Sequence, residues 1–485
     1  MNTCSTPPQY WVFLLAVLTA AFLSCATPPK TATPSGDETP PPVQPGTTAE
    51  MEIPPDEPET TEEVLTEISR FLGEGKYSDA LSLFDKIESP DSESDEIQLI
   101  KASVFNTLGQ SADARGIAEE IISREPENID ALLVLAASAA VDGKNRDQRS
   151  ILEKVIKIDP AHTKALCDLG FMALSTQSLR TAAGYFDRAL ASDSDYGDAL
   201  VGRAVTYRYG HEPQKAEQLL NKAIRLYPEW ASPLNERARL YKGAGFAREA
   251  LADLDKAKIL EPDNGWIAVD RGMTLVDLNR KDEALEEFSR AIKIDPENFL
   301  AHVYSAGIKD ERGDIAGAEQ DYIALTRIKP EYYFAFEGLG MAKMRNEEWG
   351  AARDAFLEAY RYAPKEYSYA LLAAINWMRA GQLNDPKQFL AQVLRSVPRE
   401  SLEWYMLRLF HDLAGDNDIA LRIDKETNFD NKARMLFYLA NYYDIRGNKN
   451  LADRYFLQTR EMNRQTTPEW RLNEWFIEQR GLAAF

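Results

Sequence analysis

The sequence predicts an all-α fold, a solenoid of antiparallel helix pairs, and three regularities of spacing carry that expectation. Prolines stand at Pro126, Pro160, Pro228, Pro262, Pro296, Pro330, Pro364 and Pro398, stepping by 34 residues with one step of 68 that passes over Ser194. Small residues recur at the same period, and so do glycines. A fixed period of this size marks supersecondary units that bury their apolar faces on their neighbours.

Each element of the unit has a local cause. With the proline at the thirty-second place, ten units run without a gap from Thr61 to Glu400. The first helix of a unit ends at Gly75, Gly109, Gly143, Gly245, Gly313 or Gly381, with Asn279 standing in once. Those residues suit a left-handed C-cap. The second helix stops ahead of the proline, as in AIKIDPEN at Ala291–Asn298, because a residue preceding proline disfavours helical geometry.

Between these punctuation marks the eighth place holds Ala or Gly (Ala136, Gly170, Ala204, Gly272, Gly340) and the twentieth holds Ala (Ala182, Ala216, Ala250, Ala284), so two helices cross closely there. Large residues at the twenty-fourth place, Phe84, Phe186, Phe288, Tyr322 and Phe356, fill the space between. Two further units, Ser401–Lys432 (two residues short) and Ala433–Thr466, bring the array over 61–466 to about twelve. PEWRLNEWFIEQR, Pro468 to Arg480, starts with proline and reads as a capping helix within 467–485, covering the last apolar face.

A 34-residue helix–turn–helix unit with these small, aromatic and proline places resembles the tetratricopeptide repeat. The resemblance implies a right-handed superhelix whose first helices line a concave groove, with partners met at the second, fifth, ninth and twelfth places. Here those places include Phe171, Trp266, Val269, Met273, Phe334, Met341, Met344, Ile375 and Met378. Arg208, Arg239 and Lys242, with Asn235 nearby, form a basic step; Asp310 and Glu311 form an acidic one. Such a groove suits protein or peptide segments anchored by Met and aromatic side chains that repack. A tightly wound stack in which these side chains pack on neighbouring helices is the plainer reading. A binding protein that holds an apolar small ligand for a transporter is the alternative function. The Lys and Asn pair with which some relatives grip chaperone tails is absent.

The N-terminus reads as an address followed by a tether. Trp11–Leu23 is a 13-residue apolar run, too short for a spanning helix of ~20 residues and suited to a signal peptide over 1–24. Ser24-Cys25-Ala26 resembles a bacterial lipobox. That resemblance implies cleavage before Cys25, fatty acylation of Cys25 and, with Ala26 following, an outer-membrane address facing the periplasm. An ordinary cleaved signal or a short uncleaved anchor are the other readings. Within 25–60, ten prolines fall in the 35 residues from Ala26 to Thr60, a composition that cannot bury enough surface to order itself and predicts an extended tether.

Composition narrows the function classes. The net charge is −21 with no compensating basic tract, which disfavours nucleic acid as a partner. Cys4, Cys25 and Cys167 have no paired spacing, and His162, His211, His302 and His411 are scattered, so no disulfide framework or metal site is expected. GLGMAK, Gly338–Lys343, falls inside a first helix rather than after a strand, where a phosphate loop would stand. The expectation is a scaffold or adaptor in the bacterial envelope, serving outer-membrane or cell-wall assembly, with neither catalysis nor cofactor.

Overall fold

The computed structural model describes residues 60–87, 94–465 and 467–482; the signal run, Cys25 and the Pro-rich segment lie outside them. The described residues form twenty-five α-helices and one 3-10 turn, with no strand among them. They fall into two compact bodies, one ending at Leu240 and the other beginning at Tyr241.

The N-terminal body holds α1 (Thr61–Gly73), α2 (Tyr77–Leu83), α3 (Asp95–Thr107), α4 (Ser111–Arg124), α5 (Ile129–Val141), α6 (Asn145–Ile158), α7 (Thr163–Ser175), α8 (Leu179–Ser192), α9 (Gly197–Tyr209) and α10 (Pro213–Leu226). The last turn of α11 (Ala231–Gly243) crosses the border. The C-terminal body continues with α12 (Ala247–Leu260), α13 (Gly265–Asp277), α14 (Lys281–Ile294), α15 (Phe299–Glu311), α16 (Ile315–Ile328), α17 (Tyr333–Arg345), α18 (Trp349–Tyr362) and α19 (Tyr367–Arg379). It closes with α20 (Pro386–Val393), α21 (Leu402–Asp412), α22 (Asp416–Lys425), α23 (Phe429–Ile445), α24 (Lys449–Glu461) and α25 (Pro468–Gln479).

The expected period is realised at the level of single residues. The first helices of the ten repeats begin at Thr61, Asp95, Ile129, Thr163, Gly197, Ala231, Gly265, Phe299, Tyr333 and Tyr367, each 34 residues after the last. The fifteenth place is left-handed in all ten, with φ from 56° to 82°. Seven of these are the glycines and the asparagine expected from sequence; the other three are Gln177, His211 and Glu347. The turn itself dictates the geometry. The residue after it donates to the carbonyl five back, as Ser178 N does to Ala173 O at 2.8 Å and Glu348 N to Lys343 O at 2.9 Å. That closure satisfies an orphan carbonyl whether or not glycine is present.

The second helices end as proline demands. Asp159 (φ −123°, ψ 96°) and Asp295 (φ −131°, ψ 97°) are extended ahead of Pro160 and Pro296. Asp193 adopts φ −135° and ψ 103° ahead of Ser194, so the bend survives where the proline is missing. Asn128 and Asn298 then cap the next first helix, each side chain accepting a backbone N–H at 3.0 Å.

The small places are small because aromatic rings lie against them. A Cβ added at Gly170 would stand 2.7 Å from the Phe186 ring, and one at Gly202 would strike the same ring from the next repeat. Gly272 and Gly340 meet Phe288 and Phe356 in the same way, at 2.6 and 2.8 Å. Each ring is wedged between its own first helix and its neighbour's, where close packing leaves no room for another methyl group.

The period breaks late. Pro386 cannot sit inside a helix, so the tenth repeat's second helix starts there and is short. The shortened pair α21 and α22 follows. Helix α23 begins at Phe429, four residues ahead of the Ala433 start expected, and α24 then recovers the frame.

Candidate partner-binding surface

Each first helix packs on its own second helix, and some successive first helices also touch, as α3 does α5 and α7 does α9. The second, fifth, ninth and twelfth places lie on the first helices, and the two bodies present that face differently.

In the N-terminal body the face is open at the middle repeats. Ala137 and Ala140 are exposed; Leu133, Phe171 and Val205 are half-buried. Phe171 stands edge-on to Phe186 at 5.1 Å, so its ring is braced from below. Cys167 is buried, and burial raises its thiol pKa far above the ordinary value, in keeping with a packing role. The second places carry Glu62, Glu96 and Asp130, all exposed, then exposed Lys164 and half-buried Asp198. Burial raises the Asp198 carboxyl above its ordinary value.

The expected basic step is neutralised. Arg208 and Arg239 both reach Glu236, Arg208 at 3.2 Å. Burial alone would raise Glu236, but Arg239 and Arg208 hold it below the ordinary carboxylate value. Lys242 pairs with Asp277 at 3.4 Å, and Asn235 is buried. These cations are engaged in ion pairs, not offered as a free anion site. In the acidic step, Asp310 takes Arg345 at 2.8 Å, and Glu311 takes Lys281.

In the C-terminal body the expected groove residues lie inside. Val269, Met344 and Ile375 have no exposed surface, while Met341, Met378 and Met273 keep 2%, 3% and 8%; Trp266 and Phe334 are half-buried. Partner contact through the six buried side chains therefore gives way to internal packing. Met341, Met344, Ile375 and Met378 share one apolar cluster with Leu472, Phe476 and Ile477 of helix α25, and Arg471 of α25 reaches the Met341 sulfur at 3.6 Å.

Charge locks this helix down. Arg471 donates to Asp310 on α15 at 2.8 Å and lies 3.5 Å from Glu337 on α17. Glu469, 1% exposed, accepts from the Tyr438 hydroxyl at 2.6 Å and stands 3.3 Å from Arg434. Burial opposes its charge, yet Arg434 and Tyr438 keep Glu469 below the ordinary value. Glu337 goes the other way: burial dominates and raises it, with Tyr369 O–H donating at 2.7 Å. Arg480 bridges Asp444 and Asp453, and Arg379 lies 2.8 Å from Asp444 with its guanidinium 4.4 Å from the Phe476 ring. Helix α25 packs on α24 and also reaches back to α17. The signal was present: apolar residues at Trp470, Leu472, Trp475, Phe476 and Ile477 lie on more than one face, and such a helix is buried on more than one side.

A second polar cluster went unread in the sequence. Asp321 on α16 accepts from Ser305 at 2.7 Å and Lys309 at 2.8 Å, with His302 Nδ1 at 2.8 Å. Ser305 and His302 bond opposite oxygens of Asp321 rather than each other, so no imidazole faces the hydroxyl as in a Ser–His nucleophile. Among the described residues no group of His, Cys, Asp and Glu could hold a metal ion, and no helix is long and apolar enough to cross a membrane.

A family profile described as tetratricopeptide repeat matches residues 173–229, 235–298 and 269–333. The human tetratricopeptide repeat protein 6 is 24% identical over 195 residues, 39% of this chain and 37% of that protein. The human tetratricopeptide repeat protein 13 is 25% identical over 166 residues, 33% of this chain and 19% of that protein. The chain therefore spans well under half the length of either relative. Among solved structures, the APC/C hetero-tetramer Cut9–Hcn1 is similar at a TM-score of 0.49 and 15% identity, over 65% of this chain and 63% of that one.

Proposed function

We propose that this chain, a tetratricopeptide repeat protein with an all-α superhelical fold, works as a protein–protein interaction scaffold, and from that premise we infer where its partner sits and where the chain is held. The partner is a protein segment lying on the first helices of the third to fifth repeats. The observation that carries this reading is the contrast between the bodies: Ala137, Phe171 and Val205 keep accessible surface, whereas Met344 and Ile375 are filled from within. Acids at Glu62, Glu96, Asp130 and Asp198 flank that apolar strip, so a segment with Lys or Arg beside its apolar anchors complements it. The chain is held on a membrane by acylated Cys25 at the end of its Pro-rich tether. It serves assembly in the bacterial envelope, at an outer membrane facing the periplasm.

Photo-crosslinking in the native cells tests the surface, with the reactive group at Ala137 and a control at exposed Lys256. A protein captured from Ala137 and not from Lys256 supports the scaffold; captured lipid, or nothing, favours the carrier of an apolar ligand. Replacing Cys25 with Ser is expected to abolish incorporation of labelled fatty acid, and persistent label refutes the address.

A further inference from the structure

We propose that the inner face of the C-terminal body is a binding site for an amphipathic helix, that α25 is its occupant in cis, and that a partner helix of the same pattern takes its place. The inference goes beyond the scaffold reading and does not depend on the partner surface of the N-terminal body.

Helix α25 meets this face as a ligand meets a receptor. Its apolar stripe, Leu472, Phe476 and Ile477, enters the cluster that holds Met341 and Ile375. Its Arg471 answers two acids on two different inner helices, Asp310 and Glu337. Apolar anchors with one matched charge beside them are how a helix is recognised in a groove.

The fit is incomplete, and on both sides. Trp470 Nε1 and Asn473 Oδ1 of α25 are buried with no hydrogen-bond partner on the protein, as are Arg345 Nε, Asn376 Oδ1 and Arg379 Nε on the inner helices. Buried polar atoms in a finished core are almost always paired. Leaving such groups unmet costs free energy that a better-matched helix recovers. To the contacts that α25 makes, the short connection between Glu461 and Pro468 adds an effective concentration on the order of millimolar, so a fit with unmet polar atoms need not hold the helix by affinity alone. The partner it suits carries Arg directly before an apolar residue, with two more apolar residues four and five positions on.

The probe is a labelled synthetic peptide spanning residues 466–482, added to the full-length chain and followed by fluorescence anisotropy. Hydrogen exchange of the α25 amides is read in parallel. Arg471→Glu in the chain sets the peptide against a weakened cis helix. The expected result is faster exchange confined to α25 and peptide binding about tenfold tighter or more than to the unaltered chain. The same peptide carrying Arg471→Glu is expected to bind neither chain. Release of α25 without peptide binding overturns the proposal, because the face then has no affinity for a free helix. Protection of α25 unchanged, with no binding, overturns it too, because the occupant does not exchange. Arg471→Gln is the milder variant; if both substitutions melt the repeats from α17 onward, α25 is core and the proposal fails.

Discussion

Gly170→Ala is the sharpest test of the packing frame, because two effects of known sign oppose each other at one site. In an open helix, alanine in place of glycine stabilises by roughly 0.5–1 kcal/mol. At Gly170 the added Cβ would stand 2.7 Å from both Cε1 and Cζ of Phe186, against 3.4–4 Å for ordinary contact. Phe186 is fully buried and cannot retreat, since Gly202 already lies against the other side of its ring. Overpacking of this kind costs about 1–3 kcal/mol, so the net expectation is a loss of about 1–2 kcal/mol after the helix gain is subtracted. For a body of this size that lowers Tm by roughly 2–8 °C. The assay is a thermal melt of four chains: unaltered, Gly170→Ala, Phe186→Leu and the double variant. In the Phe186→Leu background the clash is relieved, so Gly170→Ala becomes neutral or stabilising, a coupling of about 2 kcal/mol. Gly184→Ala on the neighbouring helix, where nothing lies within 4 Å, is the control and is expected to stabilise. A Gly170→Ala chain that melts higher in both backgrounds would refute the wedge.

Two further outcomes are expected. Glu347 occupies the left-handed turn at φ 59°, so Glu347→Gly is expected to stabilise by a few tenths to about 1 kcal/mol, because the relief of a strained L-residue exceeds the added chain entropy; a denaturant midpoint that falls would show the turn is not strained. Asp321→Asn removes the buried charge that holds Ser305, Lys309 and His302, and is expected to cost about 3 kcal/mol near neutral pH. Burial works against the Asp321 carboxylate, but the hydrogen bonds from His302, Lys309 and Ser305 hold its folded value below the ordinary 3.8. Its contribution is thus present above that ordinary value and is lost as pH falls below it. The gap between the two chains is expected to narrow as melts are taken from pH 7 to pH 3, and a constant gap would rule out the ionised carboxylate as the cause.

The architecture was legible because the repeat writes each local rule many times. Pro160 and Pro296 announce the same stop, and Gly75 and Gly313 the same turn. Where the rule is geometric rather than chemical, the letters drop out: Gln177, His211 and Glu347 turn left-handed without glycine, and Asp193 bends without a following proline. The surface was less legible. The places two, five, nine and twelve lie on the first helices, but a frame says nothing of what lies across from them. Met341 looks identical in sequence whether it awaits a partner or receives Arg471 from the chain's own end. Arg208 and Arg239 read as free cations because their shared acid, Glu236, stands outside those four places. The Asp321 cluster joins two helices of one repeat through residues scattered in sequence, with no motif to mark it.

The return of α25 to α17 has a consequence for synthesis. Most of a repeat array is buried by neighbours that leave the ribosome within seconds of one another. Met341 waits instead for Arg471, which is 130 residues later. At ~5–20 residues per second the delay is on the order of 10 s. During that time the part of the inner face that α25 covers has no cover from the chain itself. A nascent chain of this kind calls for a chaperone at its last repeats rather than its first, and any product ending short of Pro468 carries that uncovered face permanently.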